Sequence, residues 1–107
     1  MNDTEFLTLS QAILTRLADA LDAAYESGTL EEVTLEDGVL TLITQNNKTF
    51  VVSRHAPTHQ IWLASPLSGG LHFMFDAAQA RFKLKNGDYI EQALQRDLAS
   101  CGIEVTL

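Results

Sequence analysis

Gln60-Ile61-Trp62-Leu63-Ala64-Ser65-Pro66, running into Leu67-Ser68-Gly69-Gly70, alternates in the manner of a half-buried strand. If Ile61 and Leu63 face a core, then Gln60, Trp62 and Ala64 share the opposite face. Trp62 is the only tryptophan of 107 residues. A tryptophan beside a glutamine on the outer side of a sheet is either a contact surface or a ring covered by a loop or tail. The elements on either side of the stretch decide between these two readings.

Upstream, residues 3–26 predict a long amphipathic helix. Phe6, Leu9, Ile13, Leu17, Leu21 and Ala24 recur at steps of three and four and make one apolar stripe. At about 100° per residue, Asp19, Asp22 and Glu26 fall within roughly 60° of one another, nearly opposite that stripe. They face solvent, stack like charges at i, i+3 and i+7, and oppose the macrodipole at the helix C-terminal end. A solvated polar face is the commoner meaning of such a run. Ser27-Gly28 ends the helix.

Three strands are expected next. Glu31 to Glu36 alternates, with Val33 and Leu35 inward and Glu32, Thr34 and Glu36 outward. Asp37-Gly38 is a two-residue hairpin signal. Val39 to Thr44 pairs back, Asn46-Asn47 turns, and Lys48 to Ser53 forms the third strand. Arg54 to Thr58 reads as a connection, because Pro57 cannot donate to a ladder. After the opening stretch, Leu71 to Phe75 makes a fifth strand and Ala80 to Leu84 a short sixth. Asn86-Gly87-Asp88 opens a second helix, with Asp88 as cap and Glu91 three residues on. Ile90, Leu94, Leu98 and Cys101 form its stripe, Gly102 ends it, and Ile103, Val105 and Leu107 form an apolar tail.

This order predicts an α+β two-layer sandwich in one domain, 1–107, with both helices packed on one face of an antiparallel sheet of about six strands. The other sheet face stays open, and Trp62 lies on it.

Charge excludes several functions. Nine of the fourteen acids (Asp3, Glu5, Asp19, Asp22, Glu26, Glu31, Glu32, Glu36 and Asp37) lie in residues 1–37, against the single base Arg16. The formal net charge of −7 is therefore a property of the first third. Nucleic acid is not the expected partner, since a phosphate backbone needs a basic surface. A basic protein patch or a hard cation is. No run of 18 apolar residues predicts a membrane span, and the acidic N-terminus lacks the basic region of a signal peptide. One cysteine, Cys101, allows neither an internal disulfide nor a cysteine-based zinc site, and fits a reducing compartment. The three histidines, His55, His59 and His72, form no helical metal motif, and surface histidines are the default reading. No phosphate loop, nucleophile elbow or Cys/His pair is present.

Residues 60–66 with Ser68-Gly69-Gly70 resemble the signature of the frataxin family. Arg54, Pro57, Gly70-Leu71-His72-Phe73, the beginning Met1-Asn2-Asp3-Thr4-Glu5-Phe6 and the hairpin Gly38-Val39-Leu40-Thr41-Leu42 extend the resemblance over most of the chain. The resemblance implies a helix–sheet–helix fold and a bacterial, cytoplasmic protein that is not a conventional enzyme, any iron oxidation being weak. It implies weak binding of Fe²⁺ and Fe³⁺, with other divalent cations as substitutes. The acidic ridge would be Asp19, Asp22 and Glu26, with Glu31, Glu32 and Glu36 nearby. It implies contact with the cysteine desulfurase and the scaffold of iron–sulfur cluster assembly, through Gln60 and Trp62 on the sheet and Asp19 and Asp22 on the helix. A monomer is expected, and iron-driven self-association stays open. The chain departs from the family pattern in three ways: a sparser ridge at Ala18-Asp19 and Asp22-Ala23, Ser53 and His55 where an Asn and a Gln are usual, and Phe82 where a Trp is usual. A reading from a different class is an acidic secretion-type chaperone holding an apolar client on the open sheet face.

Overall fold

A computed structural model describes residues 1–107. The chain opens with helix α1 (Asp3–Glu26) and continues through strands β1 (Leu30–Glu36), β2 (Val39–Thr44) and β3 (Thr49–His55). A short 3-10 turn at Ala56–Thr58 leads to β4 (Gln60–Ser65), β5 (Gly69–Asp76) and β6 (Arg81–Lys83). Helix α2 (Ile90–Ser100) and a coil tail follow. The six strands form one sheet in the order β1-β2-β3-β4-β5-β6, and every neighbouring pair is antiparallel. Both helices cover the same sheet face, as the alternation predicts.

Helix α1 begins where Asn2 Oδ1 accepts the Glu5 backbone N–H at 2.8 Å. Its buried face is Phe6, Ser10, Leu14, Leu17, Leu21 and Ala24. The predicted stripe was displaced to one side: Leu9 and Ile13 only flank the core, and Ser10 and Leu14 lie at its centre. Ser10 tolerates that position because its hydroxyl donates to the Leu7 carbonyl at 3.2 Å. Leu40, Leu42, Phe50, Val52, Ile61, Leu63 and Phe73 rise from the central strands to meet it, and Ile90, Ala93, Leu94 and Leu98 arrive from α2.

Asp37 and Gly38 both have positive φ, 49° and 77°, so β1 and β2 join through the expected two-residue hairpin. A Cβ at Gly38 would meet only the Arg54 guanidinium, the mobile end of a long side chain, so it is the positive φ that favours glycine there.

Two expectations are corrected. Strand β3 does not stop at Ser53; its ladder runs on to His55, which pairs with Gln60. Pro57 does not break it, since it sits at the start of the 3-10 turn, where a missing N–H costs no hydrogen bond. Asp88 does not cap α2. Its carbonyl accepts the Leu84 N–H at 2.8 Å, and Lys83 pairs with Tyr89, so this segment is still held to the sheet edge. Tyr89 takes the N-cap position, with Gln92 Oε1 accepting the Tyr89 N–H at 2.9 Å. The Asp88 carboxylate pairs with Arg96 instead, at 3.1 Å.

Candidate functional site

The register fixes what the uncovered sheet face presents. Across the strands, Glu36, Val39, Ser53, Trp62 and His72 form one row, and His55, Gln60, Met74 and Lys83 form the next. Acids stand at the β1 edge, a lysine at the β6 edge, and uncharged groups in between. Lys83 is paired with Asp76 at 3.3 Å.

Trp62 is on this face, as predicted, but it is half-buried rather than freely exposed. His55 stacks on one side of the indole, at 3.7 Å between ring centroids and 14° between planes. His72 stacks on the other, at 4.4 Å and 13°. No helix or loop covers the ring; two imidazoles do. From sequence both are ordinary surface histidines. For His72 the signal was available, because Trp62 and His72 have the same parity on adjacent strands. For His55 it was hidden by the misplaced end of β3.

A hydrogen-bond chain locks the arrangement. Trp62 Nε1–H donates to Gln60 Oε1 at 2.8 Å, and the Thr58 hydroxyl donates to the same oxygen at 3.0 Å. Thr58 Oγ1 lies 2.7 Å from His55 Nδ1. Having given its proton to Gln60, Thr58 must accept from His55. His55 therefore carries its proton on Nδ1 and leaves Nε2 as a free acceptor when neutral. His59 belongs elsewhere: it stacks on Phe6 at 5.0 Å and pairs with Asp3 through Nε2 at 2.7 Å, which ties the turn before β4 to the start of α1.

The loop after β4 is pinned from below. Buried Ser65 donates to buried Asp97 Oδ2 at 2.7 Å and accepts the N–H groups of Leu67 and Ser68 at 3.1 and 3.2 Å. The end of β4 and the turn after it are thus tied to helix α2 beneath.

The carboxylates are distributed differently. Asp19, Asp22 and Glu26 are all exposed on the solvent side of α1. Strand β1 is an edge strand and packs beside α1, as the ridge requires. A bulge between Leu30 and Glu32 shifts the register at the start of the strand only, and the alternation from Glu32 to Glu36 is as predicted. Glu32 and Glu36 stand opposite Ile43 and Val39 on the open sheet face, and Glu31 is exposed at the bulge. The six acids are therefore divided between the outer surface of the helix layer and that of the sheet. Nowhere do three His, Cys, Asp or Glu side chains gather closely enough to hold one metal ion. The donor set does not fit a closed, dehydrated iron centre. No helix is long and apolar enough to cross a membrane.

A frataxin-like domain model matches residues 1–102. The iron-sulfur cluster assembly protein CyaY of Aliivibrio salmonicida is 43% identical over 75 residues, covering 70% of this chain and 68% of that protein. Mitochondrial frataxin of Dictyostelium discoideum is 37% identical over 83 residues, covering 75% of this chain. The chain spans less than half the length of that relative, 43% of it. Among solved structures, frataxin from Psychromonas ingrahamii superposes with a TM-score of 0.84 at 22% identity, covering 99% of this chain and 97% of that one, a likeness of fold. Trimeric yeast frataxin, solved in complex with ferrous iron, superposes with a TM-score of 0.73 at 32% identity, over 86% of this chain and 83% of that one. With its signature at residues 60–73, its single uncovered sheet face and its acidic first third, this chain belongs to the frataxin-like family.

Proposed function

We infer that the protein serves iron–sulfur cluster assembly as a regulatory binding partner and not as a catalyst. The observation that carries this reading is the family match over residues 1–102. The geometry supports it with two separate surfaces: a flat aromatic face around Trp62 and a field of exposed carboxylates on α1 and β1. The Trp62 face, with Gln60, takes the scaffold protein. Asp19 and Asp22 meet a basic patch on the cysteine desulfurase, where opposite charge steers association.

Iron is cargo on this surface. Asp19, Asp22, Glu26, Glu31, Glu32 and Glu36 each offer carboxylate oxygens, which suit hard cations, and water completes the coordination. Binding is weak and tolerant of other divalent cations, because nothing in the geometry selects one. Where iron and the desulfurase use the same acids, the binding of each changes the affinity of the other by the same factor.

The test is an amide NMR titration with Fe²⁺ or Co²⁺, followed by pull-downs of desulfurase and scaffold with and without iron. Perturbations should cluster in residues 19–36, and retention should depend on iron. Perturbations outside that segment would remove the acids from their role. Failure to retain either protein under any condition would remove the cluster-assembly reading.

A further inference from the structure

Glu91 holds an oxygen that the fold leaves without a donor. The residue lies in the first turn of α2, only 6% exposed, between Arg16 of α1 and Arg81 of β6. Arg16 donates to Oε2, but Oε1 has no hydrogen-bond partner. Arg81 Nη2 stands 3.5 Å from Oε1, an ion pair that stops short of a hydrogen bond. Arg81 is held back because its guanidinium stacks on the Tyr89 ring, 3.6 Å from the centroid. A buried carboxylate oxygen without a donor is costly, and native folds keep few of them.

Glu91 lines a cleft of about 220 Å³ between α1 and the β5–β6 hairpin. Leu9 and Ile13 of α1, Phe75 of β5 and Phe82 of β6 make its apolar wall. Arg16 and Arg81 line it too, about half-exposed, with guanidinium N–H groups that no other carboxylate of the chain takes. Pockets for drug-sized ligands measure about 300–1,000 Å³, so this cleft suits something smaller.

Three demands fall on one ligand. It brings a donor to Oε1. It brings negative charge to two arginines that face a single carboxylate. It brings an apolar body to the Leu9–Phe82 wall. An α-amino acid with an apolar side chain meets all three. Its ammonium and carboxylate hang from one carbon, as an acceptor and a donor only 3.5 Å apart require. An ammonium suits Oε1 better than a hydroxyl, because donor and acceptor are then both charged.

We propose that this cleft binds a free α-amino acid of about the size of leucine. The ammonium sits on Glu91 Oε1, the carboxylate on the remaining donors of Arg16 and Arg81, and the side chain on Leu9, Ile13, Phe75 and Phe82. The site uses none of the residues assigned above to iron or to partner proteins, and it does not depend on the cluster-assembly reading.

The test is calorimetric and amide NMR titration of the full chain with L-leucine and with two truncated analogues. Isoamylamine lacks the carboxylate, and isocaproate lacks the ammonium. Leucine should bind one-to-one at millimolar concentration or below and shift amides of residues 9–16 and 80–82. Each analogue should bind at least about tenfold more weakly, the worth of one hydrogen bond to a charged group. Glu91→Gln should weaken leucine binding by a similar factor. Ala12→Phe fills the cleft from an exposed position on α1, so it should abolish binding with the circular dichroism spectrum unchanged. If Glu91→Gln fails to fold, the analogues and Ala12→Phe still decide. No leucine binding by wild type, equal binding of either analogue, or undiminished binding by folded Glu91→Gln or Ala12→Phe overturns the assignment.

Discussion

Ser65, at the end of β4, donates its hydroxyl hydrogen to Asp97 on α2 across 2.7 Å, and both side chains are buried. The same oxygen accepts two backbone N–H groups of the following turn. One hydroxyl thus fixes the loop after the signature strand to the helix layer beneath. Ser65→Ala leaves the Asp97 carboxylate and two loop amides short of a partner. The expected loss is about 2–3 kcal/mol, the cost of uncompensated buried polar groups. Thermal denaturation should show the melting temperature lowered by about 4–8 °C for each kcal/mol lost. An unchanged melting temperature would mean that the loop is held by something else.

Glu91 offers a second test of buried charge. It is buried on α2 between Arg16 of α1 and Arg81 of β6, and Arg81 also lies over the Tyr89 ring at 3.6 Å. The two arginines are about half-exposed, so they can return to water; the carboxylate cannot. The partners are therefore unequal. Glu91→Met should cost about 1 kcal/mol or less, because packing replaces a buried charge. Arg16→Met with Arg81→Met should cost about 3 kcal/mol or more, because a buried carboxylate is left unpaired. Urea denaturation midpoints of the two proteins should differ in that order.

The layer arrangement was legible in the sequence because period-2 and period-3.6 patterns were strong and Asp37-Gly38 allowed one hairpin. Trp62 could be assigned to the open face for the same reason: Ile61 and Leu63 left it nowhere else. What could not be read was who its neighbours were. Pro57 argued for a connection from Arg54 onward, yet a ladder can run to His55 if the proline falls in the turn. Two residues of extra strand brought His55 onto the indole. The outward side of Glu32 and Glu36 was legible from the alternation of β1, but the bulge at Glu31, which turns Leu30 into the core, was not. Ser10 escaped because a buried serine satisfied by its own helix leaves no mark in a hydrophobic pattern.

Asp19, Asp22 and Glu26 form no hydrogen bond or ion pair and stand near the C-terminal end of α1. Their mutual repulsion and their opposition to the helix dipole each cost a few tenths of a kcal/mol. The variant Asp19→Asn/Asp22→Asn/Glu26→Gln should therefore fold at least as stably as wild type, with a gain of up to about 1 kcal/mol at low salt. Iron and desulfurase binding should weaken in the same protein. Chemical denaturation at two salt concentrations separates the effects, since a gain from relieved repulsion shrinks as salt screens it. A marked loss of stability would assign these acids a structural role.

Trp62 distinguishes contact from core. A fully buried aromatic truncated to alanine costs about 3–5 kcal/mol. Trp62 is half-buried and packs on two side chains of the open face, whose loss leaves the core of Leu63, Ile61 and Phe73 intact beneath. The cost of Trp62→Ala should be about 1–2 kcal/mol, made up of lost stacking and lost apolar cover. Trp62→Phe should recover most of that stability, because a flat ring still fits between His55 and His72. It should recover less of the binding, because the indole N–H that orients Gln60 is gone. Comparing unfolding free energies with scaffold retention in the two variants separates the roles: if stability and binding fall in proportion, Trp62 acts through the fold, and if binding falls further, it acts at the contact.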